Sequence, residues 1–371
     1  MGTPTSGTAR ATEVRPGRGR LVGVDATRGL AVLGMFAAHV GSAGPDFWSG
    51  TGWLQVADGR SAATFALLAG LSAALLSRGP GSTRTATGPD LAAARVRIVV
   101  RAALLLPIGA FLITLGTPVA VILPAYAVMF ALLTPFLRVR PAWLLAVAGG
   151  VVVVGPPVVL TGRALLRRPD GTLSWLPDVL VGEHYPVLVW FAYLLVGLAV
   201  GRQDLASPTT ARRLAVAGAV ALVAGYGTAA LALRVLPADA MVARALLTAE
   251  PHADTLPEVV GNVGVTLLVL TALLALGRHA PLLLAPLAAT GALALTAYVV
   301  HVVAIAALGD DAVWGPSSTD LVAFVLVTLV ATTTWRALLG RGPLEWVLHR
   351  ASTAVATAHA AAREEAVRPG R

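Results

Sequence analysis

Ten stretches of mostly apolar residues, each about the twenty residues that an α-helix needs to cross a bilayer, run through this chain of 371 residues. Gly, Pro and charged residues punctuate them, and their approximate bounds are 22–42, 61–78, 98–115, 118–137, 142–161, 186–201, 213–234, 258–277, 284–308 and 320–339. Hydrocarbon offers a backbone amide no partner outside its own helix. The pattern therefore predicts an all-α fold, a polytopic helical membrane bundle of about ten transmembrane helices. The number becomes eleven if the ninth span divides near Pro286, or if 236–250 adds an amphipathic helix on the membrane surface. Gly116, Thr117 and Pro118 mark a tight turn between the third and fourth spans, since Pro lacks the amide that a continuing helix would use.

A chain that is 56% hydrophobic and 13% charged, with a mean hydropathy of +0.77, is not a soluble globular enzyme. All 28 basic residues are Arg, a compositional bias rather than a nucleic-acid signature, so the expected partner is the lipid bilayer and not nucleic acid. The absence of Cys removes disulfides, thiolate metal sites, thiol nucleophiles and iron–sulfur clusters. Covalent chemistry is left to Ser, Thr, His, Asp, Glu or Tyr, and no metal is expected.

Arg placement sets the orientation. With ten spans, 21 Arg fall in the termini and even-numbered loops and six in the odd-numbered loops, with Arg101 in the first turns of the third span. Both termini are then cytoplasmic. Twelve of the 19 acidic residues, among them Asp46, Asp58, Glu183, Asp254 and Glu258, fall on the other side. Residues 1–20 read as a disordered, Arg-rich cytoplasmic tail, 21–350 as one membrane domain with halves 21–201 and 202–350, and 351–371 as a second cytoplasmic tail, Ala-rich and partly helical. A cleavable signal peptide is the rival at the N-terminus, opposed by Asp25 and Arg28 within the apolar run.

Ionisable groups inside a membrane span are costly and mark functional candidates. His39 lies near the outer end of the first span, His301 in the outer half of the ninth, and His184 and His252 in extracytoplasmic loops. His suits proton transfer near neutrality, and the alternative for His39 and His301 is a hydrogen bond to a neighbouring helix. Asp25 and Arg28, three apart on one helical face at the cytoplasmic mouth, read either as a capping ion pair or as an anchor for an anionic ligand. Arg95, Arg97 and Arg101 on the same side suit phosphates, or are ordinary positive-inside charge. Outside, Asp58 and Arg60 flank Gly59 and either pair to shape an entrance or end a loop, while Glu183-His184-Tyr185-Pro186 leads into the sixth span. Trp48, Trp53, Trp175, Trp190 and Trp314 fall near this face, as an interfacial belt or as faces for sugar rings. Gly34, Gly70, Gly197 and Gly201 read as points of close helix packing.

Several ordered segments carry a family resemblance. They are Arg20-Leu-Val-Gly-Val-Asp25-Ala-Thr-Arg28-Gly-Leu-Ala-Val-Leu-Gly-Met35, Val56-Ala-Asp58, Phe65-Ala-Leu-Leu-Ala-Gly70, Tyr185-Pro186-Val-Leu-Val-Trp190, Gly197-Leu-Ala-Val-Gly201-Arg202, Pro251-His252 through Gly261-Asn262-Val-Gly264, Gly291-Ala-Leu-Ala-Leu-Thr296-Ala-Tyr298 and Gly342-Pro343-Leu-Glu345-Trp346. With them the chain resembles the transmembrane acyltransferases related to heparan-alpha-glucosaminide N-acetyltransferase, in a bacterial branch with an uncharacterised C-terminal membrane region. The resemblance implies a helical bundle that takes acetyl-CoA or another acyl-CoA from the cytoplasmic side and passes the acyl group to an outer acceptor. The position matching the animal enzyme's catalytic His falls near Trp48 to Gly50, where this chain has none. His39 stands instead at an Asn position of that enzyme and resembles the first-span His of the distantly related bacterial O-acyltransferases, while His301 matches a late-span His after Tyr298.

The expected activity is acyl transfer with His39 and His301 as catalytic residues and Arg28, Arg101 and Asp25 on the donor. Asp58, Arg60, His184, Tyr185, His252, Glu258, Asn262 and Tyr298 fall to the acceptor, a hydroxyl or amine of an extracytoplasmic sugar, glycolipid or small metabolite. The alternatives are a proton-coupled transporter or lipid-handling protein using the same groups, and a non-catalytic membrane partner. Small-residue faces leave a homodimer open.

Overall fold

The computed structural model describes residues 21–44, 47–48, 50–79, 82 and 84–367. The expected tail 1–20, Asp46, Arg368 and Arg371 lie outside the described residues. Fifteen α-helices follow one another among the described residues: α1 (Val22–Val40), α2 (Arg60–Leu76), α3 (Gly88–Thr114), α4 (Leu123–Leu133), α5 (Pro141–Leu166), α6 (Trp175–Val181), α7 (Val187–Val200), α8 (Pro208–Val235), α9 (Met241–Leu247), α10 (Leu256–His279), α11 (Ala285–Ala292), α12 (Ala294–Leu308), α13 (Asp311–Trp314), α14 (Ser318–Leu338) and α15 (Pro343–Val367).

All ten apolar stretches are helical. Six helices, Gly52–Leu76 (α2 with its preceding 3₁₀ turn), α3, α5, α8, α10 and α14, are long and apolar enough to cross a membrane, and the bent pair α11–α12 makes a seventh. The three remaining stretches form α1, α4 and α7, of 19, 11 and 14 residues. Asp25, Arg28 and His39 lower the hydropathy of α1, and α7 is short but buried along almost its whole length. The exposed faces of α5, α8 and α14 are Val- and Leu-rich, with Val153, Val223, Leu231, Val327 and Val330 all exposed. Such a surface is stable against lipid and not against water, so the chain is a multi-pass membrane protein.

The ninth stretch breaks, but not at Pro286. That proline sits in the first turn of α11, where a missing amide costs nothing, and the 80° bend falls between Ala292 and Ala294. Glu345 of α15 closes the break. Its Oε1 accepts the amides of Leu295 (2.8 Å) and Thr296 (3.0 Å), and its Oε2 the Thr296 hydroxyl (2.6 Å), so a carboxylate from another helix caps α12 at its positive end. The expected tail boundary at 350 falls inside α15, where Ser352 and Ala356 are buried. Residues 236–250 contain α9, none of whose residues is buried.

Small residues bring the helices together. A Cβ on Gly197 would lie 1.8 Å from the Leu67 carbonyl oxygen, and one on Gly70 2.0 Å from that of Leu194, so α2 and α7 pack backbone to backbone. Hydroxyl pairs add polar contacts across helices, Thr64 with Thr266 at 2.9 Å and Thr290 with Thr332 at 2.8 Å.

Candidate functional site

Two polar regions occupy opposite ends of the bundle. At the end holding Arg28 and Arg101, Arg28 donates to Asp25 Oδ1 (2.9 Å), to the Gly291 carbonyl (3.2 Å) and to the Ser72 hydroxyl (2.7 Å). Gly291 permits this, since a Cβ there would lie 1.8 Å from the Asp25 carbonyl oxygen. Arg28 and Arg101 line one cavity of about 310 Å³ between α1, α2, α3, α4, α11, α12 and α15. Along α2 the cavity runs from Leu76 to Phe65, about 16 Å at helical rise. Arg101 also reaches Ser352 Oγ (3.4 Å). Arg97 and Arg341 lie close enough to Arg101 to repel it, and the buried Arg97 Nε has no hydrogen-bond partner. His349 has its pKa lowered, by desolvation first and then by Arg341, Arg101 and Arg97. Among the described residues no carboxylate forms an ion pair with Arg97, Arg101 or Arg341.

Toward the other end, His39 Nδ1 lies 3.0 Å from His301 Nε2, with the two rings nearly parallel. His301 is buried and its Nδ1 lies 2.6 Å from the Tyr298 carbonyl oxygen. A carbonyl only accepts, so His301 Nδ1 carries a proton. In the uncharged pair His301 Nε2 is then an acceptor, His39 Nδ1 donates to it, and His39 Nε2 keeps a free lone pair. Helical register links this pair to the cavity. Arg28 and His39 share one face of α1, while Ala294, which lines the cavity, shares a face of α12 with Tyr298 and His301. The hydroxyl of Tyr298 accepts the Ile122 amide at 3.4 Å, at the start of α4. One turn along α4, the Tyr126 hydroxyl is buried without a hydrogen-bond partner.

Beyond the histidines lies a network drawn from five segments, α2, α5, α7, α8 and α10 with the loops that lead into them. Asp254 accepts from the Trp190 indole (2.8 Å) and pairs with Arg163 (2.9 Å). Burial raises its pKa to about 6, against the lowering effects of Trp190 and Arg163. Glu258 takes the amides of His252 (2.9 Å) and Asp254 (2.7 Å), while its own amide donates to Thr255 at 3.2 Å, a variant of the capping box. Asn262 donates to Tyr193 (3.1 Å) and accepts from Tyr226 (2.7 Å), which also receives Arg60 Nε (2.8 Å). His252 stacks on Trp190 with ring centroids 6.2 Å apart, and Tyr185 and His184 adjoin it. Its pKa is lowered by desolvation, with Asp58 acting in the opposite sense. Tyr185, His252 and Asp254 are the non-glycine residues at positive φ among the described residues, so backbone strain gathers at this one place. A second cavity, of about 460 Å³, reaches Glu183, His184 and Tyr185 from the same end.

The structure joins His39 to His301 and Arg28 to Arg101, and gathers Asp58, His184, Tyr185 and His252 into one cluster. Three sequence expectations are refined. Asp58 and Arg60 do not pair through their side chains: Arg60 donates to the Asp58 carbonyl oxygen at 3.4 Å, and the Asp58 carboxylate faces His252 at 3.9 Å. Glu258 and Asn262 spend their hydrogen bonds on the protein itself. Trp48, Trp53, Trp175 and Trp314 are exposed as a belt would be, but Trp190 is buried. Sequence reasoning passed over Tyr126 and Ser72, and it placed Glu345, Arg163, Asp254 and Trp190 by segment or side without giving any of them a part in the site. A tyrosine or carboxylate within an otherwise apolar or helical run was the available signal. Among the described residues no cluster of His, Asp and Glu is arranged to hold a metal.

The bundle and its interior ionisable groups define a multi-pass membrane protein with a cation-lined cavity below an imidazole pair. Residues 20–235 match the family described as heparan-alpha-glucosaminide N-acetyltransferase, catalytic. Residues 200–354 match one described only as a protein of unknown function (DUF418). The first match covers more than half of the chain, which therefore belongs to this family of membrane acetyltransferases. No curated protein matches the chain.

Proposed function

We propose that the protein transfers an acetyl or other acyl group from cytoplasmic acyl-CoA to a hydroxyl or amine on an extracytoplasmic sugar, glycolipid or small metabolite. The observation that carries this reading is the arginine-lined cavity that shares helix faces with the histidine pair. Arg97, Arg101 and Arg341 have no carboxylate partner among the described residues and suit phosphate oxygens, which guanidinium groups bind in a fork. Arg28, held by Asp25 and Ser72, lines the cavity deeper along α1. The Arg bias of the loops supports a cytoplasmic position for this end.

The histidine pair supplies the base. His39 Nε2 takes the acceptor's proton, and the imidazolium is steadied by His301 Nε2, which accepts from His39 Nδ1 while the proton on His301 Nδ1 stays donated to the Tyr298 carbonyl. His39 then returns the proton to the leaving thiolate. General-base catalysis by a positioned His contributes roughly 10²–10⁴-fold. The vestibule at Glu183, His184 and Tyr185 admits the acceptor, and Asp58, Tyr185 and His252 contact it. Arg60, Glu258 and Asn262 hold the loop that carries His252, and Tyr298 lies between donor and acceptor.

Calorimetry on detergent-solubilised protein tests the donor. Acetyl-CoA binds saturably, and Arg101→Ala weakens binding about tenfold, the loss of one charge-assisted contact. No binding at millimolar acetyl-CoA refutes the reading.

A further inference from the structure

Tyr126 sits where the donor cavity meets the histidine end, and no group among the described residues hydrogen-bonds its hydroxyl. The side chain is 2% exposed, and its oxygen has no hydrogen-bond partner. A buried polar group without a partner is rare and costly. The position is not loose. The Tyr126 amide donates to the Ile122 carbonyl at 3.0 Å, the Ile122 amide donates in turn to Tyr298 at 3.4 Å, and the ring packs beside Phe65 and Phe130. Tyr126 lines the same cavity as Arg28 and Arg101. Phe65, Phe130, Leu105 and Ala294 line it alongside Tyr126. The arginines provide charge at the other end, whereas this end offers one neutral donor between apolar walls. That environment suits an uncharged carbonyl and rejects a phosphate, whose charge would be desolvated there without a counter-ion. The hydroxyls of Tyr185 and Tyr298 are near enough to interact with it electrostatically, and Tyr298 leads one turn on to His301.

We propose that Tyr126 is a catalytic residue whose hydroxyl donates a hydrogen bond to the thioester carbonyl oxygen of the acyl donor. The inference rests on the acyl-transfer reading. As the acceptor's oxygen or nitrogen bonds to the carbonyl carbon, its proton passes to His39 Nε2. The carbonyl π pair moves onto the oxygen that Tyr126 holds, and Tyr126 keeps its own proton. The C=O bond re-forms, the C–S pair departs with sulfur, and the thiolate takes the proton from His39. A donor fixed in a water-poor site favours the oxyanion over the ground-state carbonyl.

The test is infrared difference spectroscopy with carbonyl-¹³C acetyl-CoA bound to the full-length protein, combined with calorimetry. In the wild type the bound carbonyl stretch shifts to lower frequency than in free acetyl-CoA, and in Tyr126→Phe it returns toward the free value. CoA, which has no acyl carbonyl, binds Tyr126→Phe as it binds the wild type, which also shows that the variant is folded. Turnover falls on the order of 100-fold, as for loss of one oxyanion donor, mainly in kcat. An identical carbonyl shift in Tyr126→Phe overturns the proposal, as does an equal loss of CoA and acetyl-CoA binding, which would mark a packing role. Absence of acetyl-CoA binding in the wild type overturns the acyl-transfer reading itself, and the role of Tyr126 with it.

Discussion

The proton order of the histidine pair is set by a group that cannot change its own role, the Tyr298 carbonyl oxygen 2.6 Å from His301 Nδ1. From that one acceptor the hydrogen-bond inventory of imidazole fixes each further nitrogen as far as His39 Nε2. His39→Ala should abolish turnover and leave CoA binding intact. His301→Ala should lower turnover by roughly 10²-fold or more, with acetyl-CoA affinity unchanged. Turnover surviving in His39→Ala would remove it as the base. Asp254 allows a separate check by pH. Burial raises its pKa to about 6 from the ordinary value of 3.8, so the folded state binds a proton more tightly than the unfolded state. The resulting stabilisation is full below the unfolded value and is lost as pH rises through about 6. The span corresponds to roughly 3 kcal/mol. Asp254→Asn, which imitates the protonated side chain, should lack this component. The melting-temperature difference between wild type and Asp254→Asn should therefore change between pH 7 and pH 4, in favour of the wild type at low pH. A constant difference would show that Asp254 does not titrate in this window. The two histidines were legible in the sequence because an ionisable residue stands out in an apolar run. Tyr126 was not, because a tyrosine there reads equally as packing, and only its unpaired oxygen distinguishes it.

At the scale of helices, the bend between α11 and α12 positions Tyr298 and His301, and Glu345 holds it from α15. Glu345→Gln should lose the charge-assisted part of three hydrogen bonds. Each such bond contributes about 1.5–3 kcal/mol, shared here with the solvent that replaces it, so both stability in detergent and turnover should fall. Full activity in Glu345→Gln would mean that α12 keeps its direction without the cap. Gly197→Ala is the packing counterpart. Its Cβ would meet the Leu67 backbone oxygen at 1.8 Å, and separating α2 from α7 should cost about 1–3 kcal/mol or more, read as a lower melting temperature. Each of the ten apolar stretches marked in the sequence is helical, because spanning length and apolarity are local properties, whereas the less apolar α15 was read in part as a tail. It misplaced the break, because Pro286 is the conspicuous helix breaker yet occupies a first turn that tolerates it. The true break at Leu293 depends on a carboxylate 52 positions further on. The Gly291-to-Tyr298 and Gly342-to-Trp346 segments, separate in sequence, meet here as one feature.

Across the whole molecule, charge and cavity divide the bundle into two ends. Arg97, Arg101 and Arg341, which form no ion pair with a carboxylate among the described residues, gather at one end. Strained backbone, a buried Asp254–Arg163 pair and aromatic rings around His252 gather at the other. That second assembly was only partly legible. Its loop histidines stood out, but Arg163, Trp190 and Asp254 come from three segments that only the fold brings together. The central claim is that donor and acceptor reach the histidine pair from opposite faces of the membrane. The most direct measurement supplies [acetyl-¹⁴C]CoA, which does not cross bilayers, to the outside of sealed vesicles made from cells expressing the protein. Inside-out vesicles, with the arginine end exposed, should incorporate label into vesicle-enclosed or membrane-bound acceptor, and His39→Ala vesicles should not. Equal incorporation by sealed right-side-out vesicles, or incorporation that persists in His39→Ala, would contradict the account.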